Sequence, residues 1–147
     1  MSGLRHVGIA VGDMDRSLRF YRDVFGFEVT WDRIEQGAAL DTQLGQPDTR
    51  VRTVKLRNGR ENPLVELLEF SRPAPEPAAE SNLTRIGLTH LALTVDDVEA
   101  VFDRIVEAGC RAVAPPEPSA DGQAKLFFCT DPDGVYLEVV EMTGRTP

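Results

Sequence analysis

RHVGIAVGDMDRSLRFY, residues 5–21, and THLALTVDDVEAVFDRI, residues 89–105, are two versions of one pattern. Laid over each other, His6 meets His90, Val11 meets Val95 and Asp13 meets Asp97. The chain holds two histidines in all, and both fall at this matched place. In the first copy Val7, Ile9 and Val11 alternate with His6, Gly8 and Ala10, the period of two that marks a half-buried strand. Asp13 or Asp15 then caps a helix through residues 16–25, where Leu18, Tyr21 and Phe25 recur at helical spacing, and Gly26 stops it.

Downstream of this start, residues 27–34 (FEVTWDRI), 50–57 (RVRTVKLR) and 64–70 (LVELLEF) read as three more strands, with 35–48 as a long loop punctuated by Gly and Pro. Residues 71–82, SRPAPEPAAESN, read as an extended surface linker, because proline lacks an N–H and clashes inside a helix. The second copy supplies a strand at 89–95, a helix at 98–108 stopped by Gly109, and strands at 110–116 (CRAVAPP) and 125–131 (KLFFCTD). A DPDG turn and a closing strand at 135–142 (VYLEVVEM) complete it. The expected fold is α+β, with two βαβββ modules at about 3–70 and about 85–143, joined by a linker at about 71–84 within one domain spanning 1–147. A helix covers one face of each sheet, so two modules side by side would form a cupped mixed sheet.

A net charge of −8 over 147 residues, a pI near 4.7 and the lack of any basic run argue against a nucleic-acid partner. No stretch approaches the roughly 20 apolar residues that cross a bilayer. With no basic-then-apolar leader either, a cytoplasmic location away from membranes is expected. Cys110 and Cys129 form no CxxC pair and read as small buried hydrophobes.

Strand parity selects the residues that carry chemistry. Val7, Ile9 and Val11 take the helix side, which turns His6 to the open face; Leu91, Leu93 and Val95 do the same for His90. Val65 and Leu67 leave Glu66 on the open face, and Leu137 and Val139 leave Glu138 there. Glu69 and Glu141 have the opposite parity and read as solvated acids at strand ends. A glutamate in an apolar strand needs a partner, and here that is either a metal or one of the chain's arginines. Two imidazole nitrogens and two carboxylates suit a divalent ion such as Zn, Ni, Co, Mn or Fe. Arg50 and Arg52 share one parity and either meet an anionic substrate or form a solvated strand face, while Trp31, Phe127 and Tyr136 either line an apolar cup or pack in the core.

These stretches, with VELLEF and FFCTDPDGVYLEVVE, resemble the vicinal oxygen chelate superfamily, which includes glyoxalase I, methylmalonyl-CoA epimerase, extradiol dioxygenases and bleomycin-type resistance proteins. The resemblance to glyoxalase I implies metal ligands at His6, Glu66, His90 and Glu138, the set that parity selects, with Glu66 or Glu138 leaving the metal to act as the catalytic base. It implies proton transfer next to a chelated carbonyl, as a lyase or isomerase, on a small-molecule substrate in a homodimer. Extradiol dioxygenases use a further catalytic histidine, and this chain has none to give. The arginine and asparagine that meet glutathione in bacterial glyoxalase I fall on Ala10 and Phe70, which implies a substrate other than the glutathione hemithioacetal. A methylmalonyl-CoA epimerase-like enzyme is the second reading, although the second-module "HH" of those enzymes is Thr89–His90 here. A non-catalytic protein that sequesters an antibiotic or aromatic ligand is the third.

Overall fold

Two four-stranded mixed sheets organise the chain in the computed structural model, which describes residues 3–59, 65–76 and 82–144. The chain divides into two units, Met1–Pro77 and Ala78–Pro147. In the first, β1 (Val7–Ala10), α1 (Met14–Phe25), β2 (Glu28–Gln36), α2 (Ala38–Leu44), β3 (Arg50–Arg57) and β4 (Val65–Arg72) build a sheet of order β1-β4-β3-β2. In the second, β5 (Leu91–Thr94), α3 (Val98–Glu107), β6 (Glu117–Pro118), β7 (Ala124–Thr130) and β8 (Tyr136–Met142) give β5-β8-β7-β6. The pairs β1·β4 and β5·β8 run parallel and the other neighbours antiparallel.

Both main helices begin and pack alike. Asp13 and Asp97 are the N-caps, each accepting from the backbone N–H three residues on, at 2.9 Å. Gly26 ends α1 at φ 70, a left-handed conformation that glycine takes without a Cβ penalty. Met14, Leu18, Tyr21 and Val24 form a buried stripe of α1, which packs on β4, and Ile9, Val54, Leu56, Val65 and Leu67 are buried in the same unit; Val98, Val101 and Ile105 of α3, which packs on β7 and β8, are buried, as are Leu93, Phe127, Leu137 and Val139. Burying such side chains stabilises each unit by about 1.5–3 kcal/mol per large residue.

Glu69 and Glu141, expected to be solvated, hold the helix starts instead. Their carboxylates accept the first helical N–H of α1 (Met14) and of α3 (Val98), at 3.0 and 2.9 Å. Their parity explains this, since it points them to the helix side of the sheet, where an unpaired N–H needs an acceptor. A strand cation completes each cluster: Arg52 pairs with Asp15 and Lys125 with Glu99.

Three other expectations change. The loop at 35–48 contains α2, in which Ala38, Ala39, Leu40, Gln43 and Leu44 favour a helix ended by Gly45 at φ 65, and β2 extends to Gln36. Residues 110–116 form no strand; only Ala112 bridges to Cys129, and the next strand is the two-residue β6. Pro115 and Pro116 have no N–H to give a ladder, which interrupts pairing there. β4 runs to Arg72, two residues into the expected linker. Leu64 of the expected fourth strand and residues 77–81 of the linker lie outside the described residues.

Candidate metal centre

Each unit brings one histidine to one glutamate. His6 stands just before β1 and Glu66 on the neighbouring β4, with His6 Nε2 3.1 Å from Glu66 Oε2. His90 stands just before β5 and Glu138 on the neighbouring β8, with His90 Nε2 3.3 Å from Glu138 Oε2. The parity reading holds within each unit: Val65, Leu67, Leu137 and Val139 are buried at 0%, whereas the glutamate side chains keep 15% and 21% exposure. Parallel pairing of the strands that carry each pair fixes the match, since Gly8 registers with Glu66 and Ala92 with Glu138.

The donor chemistry fits a divalent metal. Ligand atoms held at about 2.0–2.2 Å in neighbouring positions of one ion stand about 3 Å apart, so both pairs already have that spacing. Thr89 Oγ1 lies 2.8 Å from His90 Nδ1. With Nδ1–H donating to that hydroxyl, Nε2 keeps the lone pair a metal requires, and the ring is held in orientation. Phe128 adds an edge-on ring contact to His90 at 5.2 Å between centroids. The residues that could hold an ion are therefore His6 and Glu66 in one unit and His90 and Glu138 in the other.

Among the described residues, three ligand-type side chains gather within 4.8 Å of one another at Asp97, Glu99 and Glu141. Each is engaged at the start of α3: Asp97 caps Ala100, Glu141 accepts from Val98 and Glu99 pairs with Lys125. That cluster is structural.

The profile of the Glyoxalase/Bleomycin resistance protein/Dioxygenase superfamily matches residues 3–139. The chain belongs to this superfamily. Over 142 residues, 97% of both chains, it is 28% identical to a probable lactoylglutathione lyase of Synechocystis sp.. It is also 28% identical to a 2-epi-5-epi-valiolone epimerase of Actinomyces sp., over 98% of this chain and 81% of the epimerase. A glyoxalase family protein from Bacillus cereus shares the fold at a TM-score of 0.89 and 17% identity, over 98% and 96% of the two chains. This superfamily member thus has lyase-named and epimerase-named relatives at the same identity.

The other candidates sort plainly. Arg52 is taken by Asp32 and Asp15, and Arg50 donates to the Ser71 hydroxyl, so neither stands at His6 and Glu66. Phe127 (3% exposed) and Tyr136 (7%) belong to the core. Cys129 is fully buried, and burial pushes its thiol up to about 12; Cys110 is half-buried. Among the described residues no helix is long and apolar enough to cross a membrane.

Sequence reasoning passed over Lys55. Its Nζ lies 3.6 Å from Glu66 Oε1 and 4.8 Å from the centroid of the Trp31 ring. The signal was in the strand itself, because Val54 and Leu56 face the helix and so turn Lys55 to the face of Glu66.

Proposed function

We propose that this chain is a divalent-metal-dependent lyase or isomerase of the glyoxalase I type, moving a proton next to a metal-chelated carbonyl. The observation that carries the reading is the repeated histidine–carboxylate pair, 3.1 Å in one unit and 3.3 Å in the other. His6, Glu66, His90 and Glu138 would hold one Zn, Ni, Co, Mn or Fe ion, in one domain spanning 1–147 or across a homodimer in which each ion draws on both chains. A bound ion would supply Lewis acidity, stabilising negative charge that develops on a chelated carbonyl oxygen. His6 and His90 would hold the ion through ring nitrogen lone pairs. Glu66 or Glu138 takes the proton from the carbon beside the carbonyl and returns it to the neighbouring carbon for isomerisation, or to the same carbon for epimerisation.

The substrate is a small molecule other than the glutathione hemithioacetal, because Ala10 and Phe70 stand where glutathione contacts are expected. The epimerase among the relatives supports proton transfer without a thiol adduct, and an acyl-CoA epimerase-like reaction is the second reading. The absence of a basic run and of a membrane-length apolar stretch supports a cytoplasmic site of action without nucleic acid. The test is solvent deuterium uptake by metal-loaded protein, screened over methylglyoxal with several thiols and over acyl-CoA epimers. Metal-dependent exchange on a carbonyl substrate is expected. Fast turnover of the glutathione adduct would contradict the substrate assignment. Tight binding of a large aromatic compound with no exchange anywhere would favour a sequestering protein.

A further inference from the structure

Three strands of the first sheet line up one row of side chains. Glu66 on β4 registers with Lys55 on β3, and Lys55 registers with Trp31 on β2. The Glu66 carboxylate is shared, with Oε2 toward His6 at 3.1 Å and Oε1 toward Lys55 at 3.6 Å. Trp31 lies under the ammonium, and the negative face of an indole attracts a cation without using up an N–H along a fixed axis. The Lys55 side chain keeps 29% exposure, so the ammonium is placed but not enclosed. The chain's other lysine, Lys125, is committed to Glu99 at the start of α3.

The second unit treats the same position differently. Phe128 registers with Glu138 as Lys55 does with Glu66. The repeat therefore sets a cation beside one glutamate and an aromatic ring beside the other. A purely structural need of the strand pairing would apply to both copies, and only one of them has the charge.

We propose that Lys55 is a specificity residue that binds an anionic group of the substrate, a carboxylate or a phosphate, next to the Glu66 ligand position. The inference rests on the reading that His6 and Glu66 ligate a metal. An ammonium has three N–H donors, and Glu66 Oε1 takes one of them at a long distance. Once the Glu66 charge is shared with a divalent ion, the remaining donors suit a further anion, through a charge-assisted hydrogen bond. Trp31 limits where the ammonium goes, which lowers the entropy lost when the anion binds. The substrate class is thus a carbonyl compound with an anionic arm near its chelating oxygens.

Hydroxamates chelate a metal through two neighbouring oxygens, which makes them suitable probes. Cobalt-loaded protein is titrated calorimetrically with butyrohydroxamate, with 3-(hydroxycarbamoyl)propanoate and with 2-(hydroxycarbamoyl)ethylphosphonate. At least one anionic ligand should bind about tenfold more tightly than butyrohydroxamate, and the two anionic arms tell carboxylate from phosphate. The preference should vanish in Lys55→Met and persist in Lys55→Arg. Equal affinity for all three ligands, or a preference that survives Lys55→Met, would overturn the proposal. Failure of the metal reading has a different mark: no hydroxamate binds the wild type, or binding is unchanged in His6→Ala, and the Lys55 proposal then falls with it.

Discussion

Glu69 Oε1 accepts the backbone N–H of Met14 at 3.0 Å, joining the middle of β4 to the first residue of α1 across 55 positions of sequence. Glu141 repeats the bond to Val98 in the second unit. Removing the acceptor leaves a part-buried N–H without a partner. Glu69→Ala and Glu141→Ala should each cost about 1–2 kcal/mol of stability. Urea unfolding checks this, and an unchanged midpoint in both variants would contradict the role.

Arg52 makes two ion pairs, to Asp15 at 3.0 Å and to Asp32 at 2.8 Å, in half-exposed surroundings. Arg52→Met should therefore destabilise by only about 0.5–1 kcal/mol, and by less at high salt. The Arg52 guanidinium donates to Asp32 and holds its carboxyl below the usual value of 3.8. A depressed folded pKa gives stability that is present above the unfolded value and lost as pH falls through the folded one. The difference between wild type and Arg52→Met should accordingly shrink once the pH drops below about 4. Urea unfolding between pH 3 and pH 7 measures it, and a gap that widens toward acid would be inconsistent with this pairing.

Burial pushes the Cys129 thiol from 9.0 up to about 12, with the neighbouring Cys110 and Asp131 acting in the same direction. The folded protein therefore holds this proton where the unfolded chain releases it. Stability is intact below pH 9 and declines as the pH rises from there toward 12, because in that window the native state binds more protons. Cys129→Ala should flatten the alkaline decline, as read from urea midpoints at pH 8 and pH 10. A decline of the same slope in the variant would assign it to other groups.

The homodimer reading makes a simple demand on the molecule in solution. Sedimentation at micromolar concentration should give twice the chain mass of 16.2 kDa. A monomer at that concentration would end it.

Much of this molecule was legible from alternation and punctuation. Val7, Ile9 and Val11 set the side of His6, and the same rule placed Glu66 and Glu138, because buried Val65 and Leu67 in one module and Leu137 and Val139 in the other flank them on the opposite face. What stayed hidden depended on pairings that one strand does not contain. Trp31 reaches the row of Lys55 through a register shift between Val29 and Trp31, which breaks simple alternation along β2. Glu69 and Glu141 look like frayed ends until the helix start is placed above them. The missing strand at residues 110–116 was a matter of weight, since Pro115 and Pro116 counted for more than the apolar run before them.

Metal stoichiometry tests the central claim most directly, because the proposed function has one ion shared by two histidine–glutamate pairs whose histidines lie 84 residues apart and whose glutamates lie 72 apart. Purified protein would be stripped with a chelator, reconstituted in turn with Zn, Ni, Co and Mn, desalted and assayed for metal per chain. The same assay would be run on His6→Ala, His90→Ala, Glu66→Gln and Glu138→Gln, with folding verified by circular dichroism. The account predicts one ion per chain in the wild type, and loss of most of it in either histidine variant. No retained metal, or an ion kept in full when one complete pair is disabled, would contradict it.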